Sequence, residues 1–273
     1  LRRVIVTADD FGRSSEINAA VIEAHQRGVL TCASLMVSGD AAEEAVTLAM
    51  DNPGLNVGLH LILIDGVSVL PQEDIPELVD DEQCFSKDPA AGGARYFFSV
   101  RARRQLRREA RAQVEKFRSF GLEMDHINSH HHLHIHPTLA DIVVALAKEY
   151  NIPAVRLPFQ GLRTVTRSTI AMAAVMFPWV MYLKLKLIMA GIAHNREVFG
   201  LYENDAMNVN NWLRLIPELK PGVTEIFSHP SMPSSVRSDN GASVEEYKAL
   251  VNPKVKEALR CADVALGSFN DFF

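Results

Sequence analysis

The strongest constraint on this chain is an alternation of short apolar β-type runs with amphipathic helical stretches. Residues 4–8, 31–37, 56–61, 124–128, 154–157, 224–228 and 264–268 read as strands. Between them lie helical patterns at 15–27, with Ser14 or Ser15 as cap, after Gly39-Asp40, at 101–120, and at 137–150. In the last of these Leu139, Ile142, Val143 and Leu146 recur at helical spacing. Strands joined through helices pair in parallel, which predicts an α/β fold whose parallel sheet is open or closed into a barrel. The 273 residues can bury a large core, and neither an internal repeat nor a low-complexity linker divides them. One domain, 1–273, with insertions is the expectation.

Two stretches interrupt the alternation. Residues 64–98, with Pro71, Pro76, Pro89, Gly92 and Gly93, read as a long loop or lid. It leads into a helix striped by Leu106, Ala110, Val114 and Phe117 and crowded by Arg103, Arg104, Arg107, Arg108 and Arg111. A solvated face is the plain reading of those arginines, and a surface for anionic lipid head groups the sharper one. The second interruption, 160–200, reads as an apolar helical insertion. Its charge-free part, 170–183, is shorter than the ~20 residues that span a bilayer, and Pro178, Lys184 and Lys186 break the pattern. No transmembrane helix is expected. A buried helical hairpin accounts for the segment most simply; a lipid-facing surface rich in Met and aromatic residues, Trp179 among them, is the alternative.

Composition narrows the partners. The 28 Lys+Arg against 33 Asp+Glu give a formal net charge of −5, which offers no footprint for nucleic acid. The 3 cysteines, Cys32, Cys84 and Cys261, are far apart and form no CxxC pair. That excludes a disulfide scaffold and fits a reducing compartment. The chain enters a strand at once with no signal pattern, so it reads as cytoplasmic.

The chemistry is written in histidine and aspartate. Of 10 histidines, His126, His130, His131, His132, His134 and His136 fall in one strand-to-helix turn. Interleaved Leu133 and Ile135 set this run apart from an affinity tag. Imidazole nitrogens converging from such a turn can hold Zn, Ni, Co or Fe, with the excess histidines left as supporting partners or substrate contacts. Three further stretches end predicted strands, and strand carboxyl ends form the ligand-binding rim of a parallel sheet. Asp9-Asp10 are adjacent carboxylates whose repulsion a cation or shared proton would relieve. His60 lies in Gly58-Leu59-His60-Leu61 and His229 in Glu225-Ile226-Phe227-Ser228-His229-Pro230. One Asp and two His form a ligand set with open positions, and a second, unligated Asp can serve as general base. That suits metal-assisted hydrolysis, without choosing among amide, ester and phosphoester.

At these residues the chain resembles the YdjC-like carbohydrate deacetylases. The resemblance rests on Ala8-Asp9-Asp10-Phe11-Gly12, Gly58-Leu59-His60, Ser129-His130-His131-His132 with His134, and Ser228-His229-Pro230, in the family's order. It implies a distorted (β/α) barrel of mainly parallel strands, a divalent metal ion (Mg2+ or Zn2+), and removal of acetyl from an N-acetylated amino sugar. By the same resemblance Asp10, His60 and His130 are metal ligands, Asp9 the general base, and His229 the acid that protonates the departing amine. Arg156 is implied to orient Asp9; His132 and His134, from the excess of the histidine run, and Trp179, from the apolar segment, are the expected substrate contacts. One departure is visible: the family's usual Asp before Ser-His is Asn128 here. A subgroup associated with hopanoid biosynthesis is the most similar, which implies an N-acetylglucosaminyl hopanoid as substrate and a peripheral contact with the inner face of the membrane.

The rivals are a chito-oligosaccharide deacetylase, a metal-dependent phosphoesterase, and a lipid-binding protein with a structural metal. The four stretches contain no Lys or Arg to meet a phosphate, which favours a neutral amide. A homodimer is left open.

Overall fold

The computed structural model describes every residue except 89–95, 97, 162, 166–168, 204–206 and 234–242. Seven strands form one sheet, and each neighbouring pair runs parallel. They are β1 (Arg2–Phe11), β2 (Cys32–Leu35), β3 (Asn56–Leu61), β4 (Met124–Ser129), β5 (Glu197–Phe199), β6 (Gly222–Ser228) and β7 (Val264–Gly267). The order is β4-β3-β2-β1-β6-β5, with β7 pairing to β1. The sheet curls into a half-barrel flanked by helices, as the alternation requires. Its strands are buried on both faces, so they read as continuous apolar runs.

The principal helices are α1 (Ser15–Arg27), α2 (Ala42–Asp51), α3 (Val100–Ser119), α4 (Pro137–Glu149), α5 (Ile170–Ala190), α6 (Val209–Leu215), α7 (Val244–Leu250), α8 (Pro253–Cys261) and α9 (Phe269–Phe272). Ser14 caps α1, its hydroxyl accepting from the Ile17 amide, and Pro137 opens α4 where no intrahelical N–H is needed. Leu106, Ala110, Val114 and Phe117 are the buried stripe of α3, and Arg103, Arg104 and Arg107 face solvent. Arg111 pairs with Glu149 of α4.

Three expectations change. Residues 154–157 form no strand: Ala154 and Val155 make only isolated bridges to Ala193 and Ile127. Pro153 and Pro158 bracket the segment and have no N–H to extend a ladder. Strand β5, three residues long, has too little sequence to show a period. The apolar insertion is not a buried hairpin but one 21-residue helix, α5, ended by Gly191 in the left-handed region at φ 68°. Only Ala173, Val180, Leu183 and Leu187 are buried, forming one line along the helix. Met172, Val175, Phe177, Trp179, Leu185, Ile188 and Met189 are exposed. Among the described residues α5 is the one helix long and apolar enough to cross a membrane.

The described part of the 64–98 excursion is packed down. Ile75, Leu78, Val79 and Phe85 are buried, and Glu109 of α3 accepts from the Val69 and Leu70 amides at 2.8 and 2.9 Å. Pro89, Gly92 and Gly93 lie outside the described residues.

Candidate active site

In a regular strand the side chains of Asp9 and Asp10 would point to opposite faces. Here the β1–β2 register shifts between Ala8 and Phe11, and Asp10 takes a left-handed φ of 63°. The irregularity turns both carboxylates into one cavity of about 260 Å³ at the carboxyl ends of the strands, which His60, His130, His132 and His229 also line. The histidine run folds as a kinked turn, because His131 and His132 sit at φ 53° and 52°. The kink sends His130 inward, leaves His131 exposed, and places His132 against the Phe227 ring at 4.9 Å.

Asp10, His60 and His130 converge. Oδ1 of Asp10 lies 3.2 Å from Nε2 of His60 and 3.1 Å from Nδ1 of His130. Asp10 Oδ1 and His60 Nε2 are buried and make no well-formed hydrogen bond. His60 Nδ1 donates to Asn128 Oδ1 at 2.6 Å, so its Nε2 presents a lone pair toward the carboxylate. An orphaned oxygen and an orphaned nitrogen facing each other, with a second imidazole beside them, form a donor set that a divalent cation satisfies. Burial pushes the Asp10 carboxyl up, but His130 and His60 outweigh it and hold it well below the usual carboxylate range. Burial likewise presses His60 down, and the charges of Asp9 and Asp10 carry it above its ordinary value. His130 is lowered, chiefly by burial.

Asp9 stands beside this triangle with different partners. Arg156 donates to both its oxygens, from Nη1 at 2.5 Å and Nη2 at 2.9 Å. The guanidinium also donates from Nε and Nη2 to Glu225 Oε1 at 3.0 and 2.7 Å and lies 4.9 Å from the Phe227 ring centre. Burial raises the Asp9 carboxyl, yet Arg156 and then His60 reverse this and keep it ionised far below its ordinary range.

His229 borders the cavity from the end of β6, its backbone N–H donating to a Glu246 carboxylate oxygen. His134 is different from the expectation of a substrate contact. It is fully buried, with Nδ1 accepting from Ser129 Oγ at 2.7 Å and Nε2 donating to the Arg156 carbonyl at 3.0 Å, so no ring nitrogen is left for a ligand. Burial takes its pKa down to about 3. Trp179 is half-exposed on α5, its ring 5.6 Å from His136 and outside the Asp9–Asp10 cavity. Near it Phe159, Ala173, Phe177, Val180 and Tyr202 line a separate apolar groove of about 390 Å³.

Sequence reasoning passed over Arg13, Glu225 and Glu246. Arg13 Nη1 donates to Asp10 Oδ2 at 3.0 Å, so one arginine does stand at the rim beside the four stretches. Its place three residues after Asp10, at a strand end, was the available signal. Glu225 opens the stretch that ends in His229, but nothing in the string reveals that it is Arg156's second carboxylate.

The family model for YdjC-like protein matches residues 3–261. The chain belongs to the YdjC-like family. It is 31% identical over 98% of its length to the carbohydrate deacetylase of Brevibacillus brevis, covering 99% of that protein. With the carbohydrate deacetylase of Geobacillus stearothermophilus it shares 35% identity, over 100% of this chain and 98% of the other. Among solved structures, a proposed cellobiose-phosphate cleavage protein from Enterococcus faecalis V583 superposes with a TM-score of 0.80 at 25% identity, covering 99% and 98% of the two chains. In this YdjC-like chain each of the four stretches that carry the family resemblance sends residues to one cavity: Asp9 and Asp10, His60, His130 and His132, and His229.

Proposed function

We propose that the protein is a carbohydrate N-deacetylase that uses a divalent cation, Mg2+ or Zn2+, to release acetate from an N-acetylated amino sugar. The observation that carries the reading is the buried Asp10–His60–His130 triangle with Asp9 beside it, bound instead by Arg156. Asp10, His60 and His130 would hold the cation, which when bound would supply Lewis-acid polarisation of a carbonyl and a lowered pKa of water. Asp9 takes the proton of the attacking water. Arg156 fixes its orientation and keeps it ionised, at some loss of basicity. His229, just past the carboxyl end of the neighbouring parallel strand β6, gives a proton to the departing nitrogen. His132 forms part of the sugar-binding wall.

The substrate we favour is an N-acetylglucosaminyl hopanoid. The exposed apolar side of α5 and the adjoining groove support it, since they give a polycyclic lipid somewhere to lie while its sugar reaches the cavity. In this reading Phe177 and Trp179 meet lipid, and the protein works at the inner face of the membrane. Incubation with N-acetylglucosaminyl hopanoid, chito-oligosaccharide and p-nitrophenyl phosphate, followed by mass spectrometry, tests it. A hopanoid product lighter by one acetyl group is expected. Turnover of the oligosaccharide alone rejects the glycolipid, and turnover of the phosphate ester alone rejects the deacetylase.

A further inference from the structure

Behind the cavity runs a line of buried polar side chains that the proposed mechanism does not use. Asn128 of β4 lies opposite His60 of β3 in the parallel register. Its Oδ1 accepts from His60 Nδ1 at 2.6 Å, and its Nδ2 donates to Asp9 Oδ1 at 3.1 Å and to Ser34 Oγ at 2.8 Å. Ser34 Oγ is 3.0 Å from His126 Nε2, and His126 Nδ1 is 2.8 Å from Asp125 Oδ2. The Asn270 backbone N–H donates to Asp125 Oδ1 at 2.8 Å. Ser34, Asn128, His126 and Asp125 are all at 0% exposure, which leaves no solvent to mend a wrongly directed bond.

The direction of every bond in this line is fixed by its ends. The Asp125 carboxylate only accepts, so the neutral His126 ring carries its proton on Nδ1 and accepts at Nε2. The Ser34 hydroxyl must then donate to His126, and its oxygen is left to accept from Asn128. Asp9, whose two oxygens both take N–H groups of Arg156, is also an acceptor. The NH2 side of the Asn128 amide is therefore held toward Asp9 and Ser34, and its oxygen toward His60. An aspartate at this position could serve His60, but it has no hydrogen for Asp9 or Ser34. The departure from the family pattern noted above is thus matched by its surroundings.

We propose that Asn128 is a positioning residue with two separable tasks, its carbonyl setting the tautomer of the metal ligand His60 and its N–H holding the base Asp9, with Ser34, His126 and Asp125 locking the amide's orientation. This rests on the assignment of Asp10, His60 and His130 as ligands and Asp9 as base. The His130→Ala variant separates the two ideas: if it binds Zn2+ as the wild type does, the ligand assignment fails whatever Asn128 does.

The experiment compares Asn128→Leu and Asn128→Asp with the wild type. It uses Zn2+ calorimetry, long-range 1H–15N correlation of the histidine rings in the metal-free protein, and steady-state kinetics. Asn128→Leu should lose the Nδ1–H signature of His60 and bind Zn2+ at least about tenfold more weakly, the range typical of partners behind a metal ligand. Asn128→Asp, nearly isosteric and so less exposed to misfolding, should keep that signature and bind Zn2+ within about threefold. Its kcat should fall about tenfold or more with KM little changed, because a like charge replaces the Asp9 donor. A purely structural role would lower the melting temperature without dividing these readouts between the variants. The proposal is overturned if Asn128→Leu keeps the signature and wild-type Zn2+ affinity, or if Asn128→Asp keeps wild-type kcat.

Discussion

Asp9 and Arg156, 147 positions apart, meet through two parallel hydrogen bonds inside the protein, and Arg156 also donates from Nε and Nη2 to Glu225. One guanidinium thus compensates two buried carboxylates. Arg156→Met strands both, and breaking a buried pair by removing one partner costs about 3–5 kcal/mol. Urea denaturation should show that loss. Arg156→Lys should lose the two-point grip on Asp9 and most of the turnover.

The division of labour proposed for the adjacent aspartates is measurable. Asp9→Asn should retain bound metal and lose activity by about a hundredfold or more, on the scale of a general base. His130→Ala should lose the metal. Elemental analysis alongside acetate release checks both, and equal metal loss in the two variants would reject the separation of roles.

A chelator should inactivate the enzyme and lower its melting temperature, and restored Zn2+ or Mg2+ should reverse both. A ligand that binds only the folded state stabilises it by about 2.7 kcal/mol at a hundred times its Kd. Differential scanning calorimetry with and without chelator reads the shift.

Asp125 gives a pH prediction. Burial raises its carboxyl, but His126 and the Asn270 amide outweigh this, so its folded pKa lies below the ordinary value of 3.8. A depressed carboxylate stabilises the fold above the unfolded pKa, and that contribution is lost as pH falls through the folded one. The penalty of Asp125→Asn should be largest near neutrality, about 1–3 kcal/mol, and shrink below about pH 4. Urea titrations of both proteins at pH 6.5 and pH 3 (about these values) compare them; a penalty that grows in acid would reject the assignment.

The double variant Phe177→Ser/Trp179→Ser should lower flotation with anionic liposomes and turnover of a glycolipid substrate, while hydrolysis of a short water-soluble N-acetylglucosaminide stays within about twofold. Gel filtration of the same variant separates lipid docking from self-association. A wild-type dimer that becomes monomeric would assign the exposed face to a second copy.

Much of the fold was legible because the central strands are buried on both faces and carry unbroken apolar runs between capped helices; 56–61 read as a strand matches β3 (Asn56–Leu61). What escaped lacked a local signal. Strand β5 is three residues long, and 154–157 has strand composition but flanking prolines. The extent of α5 was hidden because a helix apolar all round has no periodicity to show which side faces the core. At the site, the strand-end positions of the four stretches pointed to a shared rim, and the resemblance to the YdjC-like family singled out Asp10, His60 and His130 there. The partners of Arg156 and the sealing of His134 depend on contacts between remote segments, and composition cannot encode those.

Gly58 shows how close the fit behind the Asp10–His60–His130 triangle is. A Cβ there would meet the His126 ring at 2.5 Å. Gly58→Ala should therefore destabilise by about 1–3 kcal/mol through overpacking, read by thermal melting, and push the imidazole away from Ser34.

The left-handed residue at the end of β1 has a consequence for how such a centre can be altered. Because Asp9 and Asp10 face the same space only through that one backbone turn, the tasks proposed for them are divided by conformation as much as by chemistry. Asparagine, which tolerates this region of dihedral space, could replace Asp10 without unbending the chain, whereas a β-branched residue would drag the neighbouring base out of alignment as well. A defect introduced at the ligand would then masquerade as a defect in proton transfer.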